Sequence, residues 1–143
     1  MCLRAYVANS DITTEQEVSC YKVLCYDKSD KSLTTPCKNF PVELKDDCGN
    51  LVAEGFSDIY YDEYKTLNIV GKGFIHCVLE KDDAIKLATS YDDFVKIYYK
   101  NFDKFFRVYK CVVPPQPSVY FGKCDEGYAC VAAKYIEIKE RIR

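Results

Sequence analysis

Residues 70–88 constrain the fold of this chain more than any other stretch. Val-Gly-Lys-Gly-Phe-Ile-His-Cys-Val-Leu (70–79) is an apolar run punctuated by glycine, and Glu-Lys-Asp-Asp-Ala-Ile-Lys-Leu-Ala (80–88) follows it directly. Strand faces repeat every two residues and helix faces every 3.6, so the change of period at Glu80 predicts a strand running straight into a helix. Ala84, Leu87 and Ala88 fall at helical spacing with Ile85 alongside. Glu80, Asp82 and Asp83 place negative charge in the first turn, where the helix dipole favours it. Ser-Tyr-Asp-Asp (90–93) reads as a capping box, Asp93 standing in for the usual Glu, which predicts two short consecutive helices ending near Phe102. Phe94, Tyr98 and Phe102, four residues apart, are expected to face the core.

The rest of the chain reads mainly as strands. Val-Ser-Cys-Tyr-Lys-Val-Leu-Cys-Tyr (18–26) alternates, with Cys20, Lys22 and Leu24 on one face and Tyr21, Val23 and Cys25 on the other. Pro36 and Pro41 exclude a central strand over 33–44, and residues 46–50 read as a turn before a short strand at 51–54. Residues 105–113 form a strong strand stopped by Pro114 and Pro115, and 118–122 are extended. Residues 127–133, rich in small side chains, read as a loop or one helical turn. The last segment, 134–142, alternates with Ile136, Ile138 and Ile142 inward. With no internal repeat or linker, the expectation is an α+β fold spanning 1–143 as one domain, a mostly antiparallel sheet carrying two short helices.

Composition narrows the function classes. Twenty basic residues against 22 acidic ones give a net charge of −2, which leaves no basic field for nucleic acid. No apolar run is long enough for a membrane helix, and the first residues lack a signal-peptide core. The expectation is a cytoplasmic protein whose nine cysteines are reduced thiols, an odd count being incompatible with a complete disulfide framework. No Cys-x2-Cys pair occurs, so neither a metal nor another cofactor is expected. Asp58, Asp62 and Glu63 match no EF-hand spacing, and Gly71-Lys-Gly73 lacks the Walker and Rossmann patterns.

Two residues are candidates for catalysis. His76 is the chain's one histidine, but adjacent Cys77 points to the opposite face of a regular strand, so any thiol partner must come from elsewhere. Removal of Met1 would leave Cys2 with a free amine and thiol, an arrangement in which the amine serves as internal base. Both residues also suit plain structural roles. Thirteen tyrosines and eight phenylalanines, without tryptophan, make the chain rich in rings with polar tips. Tyr21, Lys22, His76, Tyr120, Tyr128 and Lys134 are the expected ligand-binding set, tyrosines next to cations suiting a nucleotide-like anion. The acidic–aromatic segment 58–64 is the expected surface for a protein partner such as a host factor.

Several short motifs carry a resemblance. Met-Cys-Leu at 1–3, Cys-Tyr-Lys-Val-Leu at 20–24, Gly-Phe-Ile-His at 73–76 before Asp83 and Ala84, and Val-Tyr-Lys-Cys-Val-Val-Pro at 108–114 resemble small uncharacterised proteins of intestinal bacteria and their phages. In that group histidine directly follows Gly-Phe, whereas Ile75 intervenes here. The resemblance brings no established activity with it; the expectation of a small binding or sequestering protein, acting in the host cytoplasm if viral, rests on the tyrosines beside basic residues and the absence of catalytic motifs. The element order is also loosely similar to ADP-ribosyltransferase-like domains. That similarity would imply an enzyme with Lys22 as the first-strand basic residue and Glu126 or Glu137 as the acid. The three function classes are therefore a binding module for a nucleotide-like ligand, an ADP-ribosyltransferase-like or cysteine-dependent enzyme, and an inhibitor acting through 58–64.

Overall fold

The two longest strands, β3 (Val18–Asp27) and β9 (Lys104–Val113), lie side by side in continuous antiparallel register from Val18 opposite Val113 to Asp27 opposite Lys104. Both are dense in β-branched, aromatic and cysteine side chains, which suit a pleated surface buried on both faces. The computed structural model describes residues 5–7, 12–36, 40–53, 59–61, 68–70, 73–124 and 126–143, with the short strands at 5–7, 12–14, 59–61 and 68–70 described by their backbone. In chain order the remaining elements are β1 (Ala5–Val7), β2 (Ile12–Thr14), β4 (Ser32–Thr34), β5 (Gly49–Val52), β6 (Ile59–Tyr61), β7 (Asn68–Val70) and β8 (Ile75–Val78). After β8 come the helix α1 (Lys81–Tyr98), then β10 (Gln116–Lys123), β11 (Ala129–Ala133) and β12 (Tyr135–Arg141).

The sheet runs β5-β12-β9-β3-β8-β11-β10-β1-β7-β6, with β2 added to β10 and β4 to β3, and its pairings are antiparallel. β12 and β11 are separated in this order by β9, β3 and β8, yet in the chain Lys134 alone lies between them. A flat sheet cannot satisfy both facts, so these strands curl until β11 meets β12 at one end. Gln116 fastens the joint. Its Nε2 donates to the carbonyls of Pro114 (3.0 Å) and Tyr135 (2.7 Å), and its Oε1 accepts the N–H groups of Lys134 and Tyr135, each at 3.1 Å.

The curl produces two apolar layers. Its inside holds Cys20, Leu24, Ile75, Cys77, Tyr109, Cys111, Val113, Val119, Val131, Ala133, Ile136 and Ile138, covered by Leu33, Val42, Leu44, Leu51 and Ala53 from the segment around β4 and β5. The other face carries α1, whose Ala84, Leu87, Ala88 and Tyr91 pack on Val23, Cys25, Val78, Phe106, Val108 and Cys130. Fully burying an aliphatic or aromatic side chain stabilises by about 1.5–3 kcal/mol, so these layers dominate the energetics.

Strand-then-helix is observed as β8 (Ile75–Val78) followed by α1, while Val70 belongs to the separate strand β7; the class is α+β with a dominant antiparallel sheet, but one helix replaces the expected two. α1 runs unbroken through Ser90. No second helix starts at the Ser90–Asp93 box: Thr89 bonds back to the Ile85 carbonyl at 2.9 Å inside the helix, and Asp92 within the box turns inward, its Oδ1 accepting the N–H of Phe106 at 2.8 Å. The helix ends where Lys100 turns to φ +48° and the Asn101 N–H reaches the Val95 carbonyl at 3.1 Å.

Three further expectations are corrected. Phe94, Tyr98 and Phe102 are exposed, since the last turns of α1 extend past the strands that would cover them. Residues 129–133 form β11, because their small side chains fit the close approach of β8 and β10. Ile142 packs on the helix side, away from Ile136 and Ile138, because the register slips between Ile138 and Glu140 and exchanges the two faces.

Candidate functional site

The structure separates the expected ligand-binding residues into three places. Lys134 and Tyr120 meet around Phe74: the Phe74 and Tyr120 rings pack edge to face at 5.3 Å, while Lys134 Nζ lies 4.1 Å over the Phe74 ring and donates to the Gly73 carbonyl. His76, buried on β8 opposite Ala132, borders this cluster. Tyr21 and Tyr128 belong to the helix-side layer. Lys22 points into the curl with Cys20 and Leu24, as strand alternation requires, and so cannot join Tyr21 at one ligand. Cys2 and most of segment 58–64 lie outside the described residues, where only the backbone of β6 is placed. Glu126 is exposed and Glu137 is paired with Lys139 at 2.7 Å.

Lys22 stands among thiols. β3 and β8 pair at Tyr21 and Val78 and diverge beyond. There the Lys22 ammonium donates to the His76 carbonyl at 2.8 Å, filling a place a backbone N–H would take in a longer ladder. Cys20 and Cys111 are register partners, and Cys77 lies on β8 facing the same interior. A hydrogen bond between Cys20 and Cys77, reinforced by burial, pushes the Cys20 thiol up. The same bond lowers Cys77, aided by the Lys22 charge and opposed by burial. Burial pushes Cys111 up. The seven described cysteines are free thiols, and among the described residues no three His, Cys, Asp or Glu side chains are placed to hold a metal ion. The three interior thiols are nearly inaccessible to solvent, so this cluster holds the sheet together and offers no entry to a substrate.

An open groove of about 710 Å³ lies at the end of β3 and β9 remote from Gln116. Its floor is Tyr26, Arg107 and Tyr109; Lys31 and Ser32 form one lip, and Pro41, Glu43, Leu44, Asp46 and Asp47 the facing wall. Leu24 is the register partner of Arg107 and Phe105 that of Tyr26, so Tyr26 and Arg107 are diagonal neighbours on the interior face. The Arg107 guanidinium carbon lies 3.7 Å above the Tyr26 ring centroid, and Nη1 donates to the Tyr109 hydroxyl at 3.5 Å. A guanidinium stacked in this way is held in one orientation, with its remaining N–H donors free to meet planar anions side-on.

The groove wall is built by a strained turn. Lys45 and Cys48 exchange both backbone hydrogen bonds, at 2.9 and 3.0 Å, which leaves Asp46 and Asp47 as a two-residue hairpin loop at φ +52° and +60°. Both signs match a type I′ turn, where Asn-Gly is favoured and two aspartates are not. Lys31 across the groove is also at φ +59°. Asp47 meets Arg141 at 3.7 Å, while the Asp46 side chain is exposed. Sequence reading missed this groove because the diagonal of Tyr26 and Arg107 exists only once the register of β3 on β9 is known. The Asp-Asp at the turn was the one local signal available, a residue choice that the turn itself disfavours.

The arrangement defines a class, a curled antiparallel α+β sheet with one helix on its outer face and a mixed-charge aromatic groove at its open end. No family model, curated protein or solved structure matches the chain. Among the described residues no helix is long and apolar enough to cross a membrane.

Proposed function

We propose that this protein is a binding module for a nucleotide-like small anion, and that the ligand sits in the groove between Tyr26, Arg107 and the Asp46–Asp47 turn. The observation that carries the reading is Arg107 stacked 3.7 Å over Tyr26 at the floor of an open groove. Phosphate oxygens meet Arg107 and Lys31. The carboxylates of Glu43, Asp46 and Asp47 repel phosphate and therefore take the other end of the ligand, accepting from sugar hydroxyls or an amino group of the base. That division favours a ligand with an anionic end and a hydroxyl-rich end over inorganic phosphate. No step of bond chemistry is assigned, because among the described residues that line the groove no hydroxyl donates to a carboxylate of that same lining that could take its proton.

Calorimetry and thermal-shift measurements with ATP, ADP-ribose and cyclic nucleotides test the reading. At least one is expected to bind with a Kd of roughly 100 μM or below. Arg107→Ala should weaken it at least about tenfold, and Arg107→Lys should fail to rescue, because a lysine cannot reproduce the planar fork. Absence of binding by every nucleotide, or binding indifferent to Arg107→Ala, overturns the proposal.

A further inference from the structure

The exposed end of α1 is an unusual surface for a monomer. Phe94, Ile97, Tyr98, Tyr99 and Phe102 are 48, 67, 71, 70 and 69% exposed. Three of them touch, the rings of Phe94 and Tyr98 being 4.8 Å apart and those of Phe94 and Tyr99 5.6 Å apart, and Ile97 and Phe102 are their near neighbours in the chain. Single exposed apolar residues are ordinary, but five together amount to roughly 600 Å² of apolar surface, at the upper end of what monomers tolerate. With its polar flanks the patch approaches the ~800 Å² that each partner contributes to a standard interface.

The charges in the patch say what covers it. Asp93 and Lys100, both exposed, flank Ile97, four residues before it and three after it. When two such helix ends pack antiparallel about a two-fold axis near Ile97, Asp93 of each copy meets Lys100 of the other. Phe94 of one copy then falls against Tyr99 of the other. A self-complementary pattern of this kind is what an isologous interface requires. An anionic lipid surface fits less well, because Asp93 and Asp103 offset Lys96 and Lys100 in and beside the patch and the chain's net charge is −2. We propose that the C-terminal end of α1 is the self-association surface of this protein, covered by the same surface of a second copy. α1 packs on the face of the sheet opposite to that bearing the groove, so the two copies keep their grooves free and this inference stands independently of ligand binding.

Sedimentation velocity of the full chain, from low micromolar to several hundred micromolar, reads the outcome. The wild type is expected to shift from monomer to dimer across that range. Ile97→Glu should remain monomeric, and Asp93→Lys should weaken association roughly tenfold by setting like charges together. Asp93→Lys combined with Lys100→Asp should recover most of that loss, a rescue that mere damage to the fold cannot mimic. Circular dichroism of each variant confirms the fold, the altered side chains being exposed. A wild type monomeric at every concentration overturns the proposal, as does a dimer indifferent to Ile97→Glu. A monomer that co-sediments with phosphatidylserine vesicles also overturns it, in favour of a membrane surface.

Discussion

The guanidinium of Arg143 donates to the carboxylate of Asp92 at 2.6 Å, and through this pair the last residue of the chain is tied to the middle of α1. Asp92 accepts the Phe106 N–H with its other oxygen at 2.8 Å, while Arg143 Nη1 donates to the Phe106 carbonyl at 2.6 Å and the guanidinium lies 4.5 Å over Phe105. Helix, strand and terminus thus close one polar network at an otherwise apolar junction.

Because Asp92 is 3% exposed, its replacement leaves the Phe106 N–H and Arg143 Nη2 without their acceptor, while Nη1 keeps the Phe106 carbonyl. Asp92→Ala is expected to cost about 3 kcal/mol of unfolding free energy. Arg143→Ala should cost less, about 1–2 kcal/mol, since its side chain is 23% exposed and Asp92 keeps the Phe106 N–H. Urea unfolding followed by circular dichroism measures both; equal costs would show that the pair, and not the aspartate's bond to Phe106, anchors the network.

This junction marks the limit of what the sequence could reveal. Alternation in 18–26 correctly separated Cys20, Lys22 and Leu24 from Tyr21, Val23 and Cys25, because each side of β3 meets one uniform layer. The same rule failed at Ile142, where a register slip exchanges faces without leaving a trace in the local pattern. Ser90 and Asp93 were read as a capping box because their types and spacing are what a cap needs; the residue between them that decides the helix's path, Asp92, has its partner 14 residues on, in a strand. The expected ligand set failed to assemble for a similar reason. Tyr21 and Lys22 are adjacent in the chain and therefore on opposite sides of the sheet, whereas Tyr26 and Arg107 are 81 positions apart in number and stacked in space. Local pattern determines which face a side chain takes; strand register determines its neighbours, and register was not readable.

Alkaline pH should unfold this protein. The thiols of Cys20, Cys111 and Cys130 and the phenol of Tyr91 are all pushed upward, Cys20 first by its bond to Cys77 and the others first by burial. The sign is set by the unfolded chain, which loses these protons near pH 9–10 while the folded chain retains them. Stability from these groups is complete below about pH 9 and falls above it, each group contributing at most about 1.4 kcal/mol per pH unit. Cys77, lowered, works in the other direction. Denaturant midpoints at a series of pH values from 7 upward check the trend; a midpoint that stays constant or rises above pH 9 contradicts it. Of the seven described thiols, Cys48 is the one exposed, and mass-spectrometric mapping should find it alkylated ahead of the other six.

At the groove, stability and binding should respond to one substitution in opposite directions. Asp46 holds φ +52°, a conformation that glycine adopts without strain. Asp46→Gly is expected to raise unfolding free energy by about 0.5–1 kcal/mol, less whatever freedom glycine adds to the unfolded chain. The same change removes a carboxylate from the groove wall and should weaken nucleotide binding severalfold. Thermal unfolding and calorimetry on one preparation suffice, and a variant that loses stability would mean that the aspartate side chain, and not the turn, is what the structure favours.

The one-residue joint at Lys134 gives the longest strand two unequal ends. At Val18 the sheet is closed on itself and Gln116 leaves no slack; at Tyr26, eight residues along the same strand, it opens onto water. The Tyr26 end is nevertheless paired on both sides, by β4 and β9, whereas Val18–Cys20 pair with β9 alone, so amide exchange along β3 weighs the closure at one end against the second strand at the other. A ligand in the groove would touch only the Tyr26 end, and its occupancy should be reported there as slowed exchange.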